Sequence, residues 1–117
     1  MNMRIYFPGG KKVYADVGGV TIKTDQMGED PAPFALFLAS IGTCAGIFVL
    51  GFCQNRGLPT EGIEIEQGIH VDPETRMVSK VDLQIKVPAS FPAKYHDALI
   101  RSANQCAVKK HLEALVR

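Results

Sequence analysis

Apolar and polar residues alternate most clearly between positions 63 and 87. Ile63, Ile65, Ile69 and Val71 fall on one face of an extended segment, and Glu64, Glu66, His70 and Asp72 fall on the other. After the turn Asp72-Pro73-Glu74-Thr75, the residues Val81, Leu83, Ile85 and Val87 alternate with Lys80, Asp82, Gln84 and Lys86. The pattern predicts two antiparallel strands with one wet face, on which acids of the first stand across from lysines of the second. A weaker alternation opens the chain. Met3 to Phe7 reads as a strand, Pro8-Gly9-Gly10-Lys11 as its turn, and Val13, Ala15 and Val17 as the inward positions of a second strand. Gly18-Gly19 leads into a third, Val20 to Thr24, which completes a three-stranded meander.

Between these two regions the pattern changes. Pro31 to Cys53, PAPFALFLASIGTCAGIFVLGFC, carries no charge and ends at the stop signal Gln54-Asn55-Arg56-Gly57 with Pro59 beyond it. A helix of this length is able to cross a hydrocarbon core of roughly 30 Å, and Gly42 with Gly46 forms a small-xxx-small pair. Ser40, Thr43, Cys44 and three glycines dilute it, however, and its flanks are amphipathic strands. The segment is therefore expected to be the central helix of a water-soluble domain. Further on, Pro92 starts a helix whose apolar stripe is Tyr95, Ala98, Leu99, Ile100 and Ala103. Asn104-Gln105 interrupts it, and Cys106 begins a second short helix. The order βββ, long α, ββ, α, α defines an α+β fold, with a curved antiparallel sheet packed on a long central helix in one domain over residues 1–117. A chain this short covers only part of that helix, so a second copy is expected to bury the rest in a symmetric homodimer.

Composition narrows the chemistry. Thirteen Lys and Arg against twelve Asp and Glu leave a net charge of +1, and no basic run exceeds two residues, which argues against nucleic acid. No signal peptide is evident before the first strand, so a cytoplasmic, reducing compartment is expected and the three cysteines read as thiols. No CxxC pair occurs and no metal site is expected. Pro8-Gly9-Gly10-Lys11 lacks the spacing of a phosphate loop and reads as a plain turn.

Helix geometry sorts the cysteines. Cys44 and Cys53, nine residues apart, lie about half a turn out of phase and about 13.5 Å apart along the axis. They face opposite ways, too far apart for a disulfide. Cys53 reads as a small buried hydrophobe. Cys44 sits between Gly42 and Gly46, which serve either close packing or access to its sulfur. Cys106 stands near a helix start with Arg101, Lys109 and Lys110 close in sequence, a setting that favours a thiolate. Taken singly, each of the two is more often an inert core residue than a reactive one.

Two stretches, APFALFLASIGTCAG and NQCAVKKHL, resemble the OsmC/Ohr family of thiol-dependent peroxidases, and the order of elements agrees over essentially the whole chain. The resemblance implies an intertwined homodimer with active sites at its interface, Cys44 as the peroxidatic thiol and Cys106 as the resolving one. It implies an organic hydroperoxide or other small hydrophobic molecule as substrate and a dithiol as reductant; no cofactor is expected, and charge and flanks already argue against nucleic-acid and membrane partners. Phe37, Ile41, Ile47 and Phe48 would line the substrate pocket. Two positions depart from the family pattern. Phe34 stands where the best-matched members carry a glutamate, and the nearest match to their N-terminal arginine is Lys11, with Glu29 or Asp30 as possible stand-ins for the acid. These departures leave two other readings: a redox-active thiol sensor or sulfur carrier, and a ligand-binding module without efficient turnover.

Overall fold

In the computed structural model, which describes residues 1–105 and 108, the five strands predicted by alternation form two antiparallel sheets. The chain divides into two compact units, Met1–Ala39 and Ser40–Arg117.

The first unit holds the meander β1 (Arg4–Gly9), β2 (Lys12–Val17) and β3 (Val20–Asp25). Gly9 and Gly10 turn the chain with φ of 142° and 57°, backbone regions that side chains rarely enter. Register separates the two faces of the sheet. Ile5 lies opposite Ala15 and Ala15 opposite Ile22 on the apolar face; Arg4 lies opposite Asp16 and Asp16 opposite Thr21 on the polar one. On that polar face Tyr6 and Thr21 donate hydrogen bonds to Asp16 (3.2 and 2.8 Å).

Helix α1 runs from Pro33 to Asn55, two residues later at each end than the uncharged segment. Proline suits the first helical position, where its missing N–H has no partner to lose. At the far end Gly57 (φ 65°) stops the helix, with Gly57 N–H on Gln54 O (3.3 Å) and Leu58 N–H on Cys53 O (2.9 Å). These are the two bonds of a Schellman cap.

In the second unit, α1 from Ser40 onward meets the hairpin β4 (Glu64–Val71) and β5 (Val78–Lys86), a short 3-10 turn (Ala93–Tyr95) and α2 (His96–Ala103). Ala45, Val49, Phe52 and Cys53 of α1 form a core with Phe91, Leu99 and Ala103, and Ile65, Leu83, Ile85 and Val87 of the hairpin pack against it. By length and composition α1 is able to span a membrane, but here it is the core helix of a folded α+β unit. The wet face of the hairpin carries the predicted opposite charges: Lys86 pairs with Glu66 (2.7 Å), and exposed His70 pairs with Asp82 (2.6 Å). Two details differ from the alternation-based reading. The strands lie in two sheets, β1-β2-β3 and β4-β5, where one curved sheet was expected; alternation marks a strand without naming its partner. Ile100, assigned to the apolar stripe of α2, is half exposed (51%).

Candidate functional site

Cys44 is half-buried at the middle of α1 and packs against the core of the second unit. The glycines beside it serve β4. A Cβ on Gly42 would sit 2.5 Å from Oε1 of Gln67, and one on Gly46 would sit 3.9 Å from Cδ1 of Ile65. At 100° per residue both glycines lie about 160–200° around the helix from Cys44. That side of α1 faces the Gln67 and Ile65 side chains of the hairpin, and Cys44 emerges on the other. Gly42 thus leaves room for the Gln67 side chain.

On the face of Cys44, Ile41 precedes by one turn and is buried; Phe48 follows by one turn and is half-buried. Ile47, three residues on, is 67% exposed. A groove of about 490 Å³ continues along this face between α1 and α2. Ile47, Phe48, Gly51 and Phe52 of α1 and Ala98 of α2 form its apolar wall, and Arg56 and Arg101 bring charge to it. Ser102 ties the two helices by donating to the carbonyl of Phe48 (3.2 Å). The Arg56 guanidinium lies 3.7 Å from the centre of the Phe52 ring and donates to the Phe52 carbonyl at 3.2 Å. Of the proposed substrate pocket, Ile47 and Phe48 line this groove. Phe37 belongs to the first unit, where it stacks on Phe34 (5.8 Å between centroids) with both rings largely exposed.

The candidate thiolate partners lie in the first unit. Lys11 is exposed in the β1–β2 turn. Glu29 is engaged by the neighbouring residue: Lys12 Nζ contacts Glu29 at 2.8 Å, Asp25 at 3.1 Å and Asp30 at 3.5 Å. Hydrogen bonds to Glu29 and Asp25 hold the Lys12 ammonium well above the ordinary lysine range. Buried Asp25 is held below the usual carboxylate range, first by the N–H of Met27 (2.9 Å), against desolvation, and then by Lys12. Alternation gave no hint of this cluster, because two of its three acids come from the loop after β3. Register was the available signal, since Lys12 lies opposite Asp25.

Cys53 is fully buried, and burial pushes its thiol up, with the Arg56 charge acting the other way. Cys106 lies outside the described residues. Among the described residues no group of three or more His, Cys, Asp or Glu is arranged to hold a metal.

A three-stranded meander, a long glycine-notched helix bearing a central cysteine, and a following hairpin define a recurrent α+β fold. A protein of Psychrobacter arcticus 273-4, described as an osmotic stress induced and detoxification response protein, shares it with a TM-score of 0.76. That match has 19% identity and covers 95% of this chain and 87% of the other. An OsmC like protein of Mycoplasma pneumoniae is similar at TM-score 0.69 and 9% identity, covering 96% and 86%. A hypothetical protein of Aquifex aeolicus VF5 is similar at TM-score 0.69 and 15% identity, covering 97% and 86%. No curated protein matches the chain. A sequence profile of the OsmC-like protein family matches residues 26–117, a span that includes both Cys44 and Cys106. The chain belongs to the OsmC-like family.

Proposed function

We propose that this protein reduces organic hydroperoxides, with Cys44 as the attacking thiol and Cys106 as the resolving one, in a homodimer of the reducing cytoplasm. Family membership connects the chain with osmotic-stress and peroxide-related function at the level of the family. The observation that carries the finer reading is the setting of Cys44: half-buried, flanked by Ile41 and Phe48, and one turn from a groove whose α1 wall is apolar. Gln105, the residue before Cys106, lines that same groove.

The chemistry balances in three steps. The Cys44 thiolate attacks the distal oxygen of ROOH, the O–O bond breaks, and with one proton ROH leaves behind a sulfenic acid. The Cys106 thiol condenses with that sulfenic acid, forming a disulfide and releasing water. An external dithiol then reduces the disulfide by exchange and leaves as its own cyclic disulfide. The apolar surroundings favour a bulky, greasy hydroperoxide over hydrogen peroxide.

The test is turnover of cumene hydroperoxide with dithiothreitol. Cys44→Ser abolishes it; Cys106→Ser allows one oxidation and then stalls in over-oxidised forms. Peptide mapping after one equivalent of hydroperoxide finds a Cys44–Cys106 crosslink with Cys53 unmodified. Unchanged turnover in Cys44→Ser removes the proposal, and a dominant Cys53–Cys106 bridge reassigns the nucleophile.

A further inference from the structure

The α1–α2 groove carries charge that neither the core nor the proposed peroxide chemistry uses. Among the described residues two arginines and no carboxylate line it. Among the described residues neither Arg56 nor Arg101 is ion-paired. Arg56 commits one of its five N–H donors to the Phe52 carbonyl, and its guanidinium plane is fixed by the ring beneath it. A guanidinium presented in this way suits a planar two-oxygen anion, which it binds through paired N–H bonds.

The wall of the groove supplies the other half of the ligand. Phe48, Phe52 and Ala98 are apolar, and Gly51 leaves open space between them: a Cβ built there meets nothing within 4 Å. That glycine costs the helix about 1 kcal/mol relative to alanine, without the steric need that accounts for Gly42. The volume, about 490 Å³, falls within the range of roughly 300–1,000 Å³ typical of small-molecule sites.

We infer that the α1–α2 groove binds a single-chain amphipathic carboxylate, its alkyl chain over Gly51 and its head group on Arg101 and Arg56. The groove adjoins the Cys44 face and shares Phe48 with it, but the inference does not require turnover at Cys44, and its test reads binding alone.

Octanoate and 1-octanol, both kept below any micelle-forming concentration, are titrated into the reduced full-length protein and followed by backbone amide shifts. Octanoate binds at least tenfold tighter than 1-octanol, and the largest shifts fall on Gly51, Arg101 and Ser102. Arg101 is exposed, so Arg101→Gln leaves the fold intact; it cuts the preference for octanoate to under threefold while 1-octanol binding stays. Gly51→Leu fills the groove, weakens both ligands at least tenfold, and does not lower the melting temperature. Equal affinity for the two ligands, no saturable binding, unchanged binding in Gly51→Leu, or binding to anionic vesicles but not to free octanoate would each overturn the inference.

Discussion

Cys44 and Cys53 share one helix and differ in everything that governs a thiol. Cys53 is fully buried among Ala45, Val49, Phe52 and Leu99, whereas Cys44 reaches the surface at the edge of that core. Iodoacetamide at neutral pH is therefore expected to alkylate Cys44 in the native protein and Cys53 only after denaturation, as peptide mass mapping would show. The raised Cys53 thiol also links stability to pH. Unfolded, it ionises near pH 8.5; folded, it keeps its proton to higher pH, so the unfolded state binds fewer protons above that point. Its contribution is fully present below about pH 8.5 and is lost as pH rises through the folded value. Melting temperature should fall between pH 8 and 10, less steeply in Cys53→Ala; an identical slope in the two proteins excludes Cys53 as the source. Phe34 occupies the glutamate position and stacks on Phe37, and the lysine with acidic company is Lys12 rather than Lys11. Turnover with cumene hydroperoxide is accordingly expected to be measurable but slow.

At the scale of elements, α1 is notched where it meets β4, and the two notches differ. Gly42→Ala would bring a methyl to 2.5 Å from the Gln67 carboxamide, so the gain in helix propensity, about 1 kcal/mol, is offset by displacing Gln67. Gly46→Ala meets only Ile65 at 3.9 Å, an ordinary contact, and should stabilise by about 1 kcal/mol. Denaturant titration of both variants, with a Gly42→Ala/Gln67→Ala cycle, checks this; coupling under about 0.5 kcal/mol would mean that Gln67 does not oppose the methyl. This contrast lay beyond the sequence, which shows two equivalent glycines four residues apart. What the sequence did carry was periodicity. Ile63 through Val87 declared both strands of the hairpin, and the uncharged run declared α1 to within two residues, since proline and glycine fix its ends. Contacts made across elements left no periodic trace. The Lys12 cluster draws on a loop, and the groove depends on how α2 crosses α1, a matter of packing that brings Arg56 and Arg101 to one cleft.

For the whole molecule, the question is what covers the apolar surface that each unit leaves open. In the first unit Ile5 (58% exposed), Phe7 (80%) and Val20 (60%) face outward; in the second, Ile47 (67%) and Leu50 (42%) do so from α1. Scattered apolar residues on a surface need no explanation, but runs of them on one helix and one sheet of the same chain do. A second copy is the simplest cover, because a two-fold pairing buries each surface twice with one geometry. The chain is expected to sediment at twice its own mass at low micromolar concentration. Leu50→Glu, which places a charge on the open face of α1 away from the core residues Ala45, Val49 and Cys53, should shift it toward monomer without unfolding it. Phe7→Glu should do the same from the sheet if both surfaces belong to one interface, and should leave the dimer intact if only the helix is covered. A wild-type chain that is monomeric, folded and unchanged in activity across that concentration range would remove the dimer, and with it any active site built at an interface.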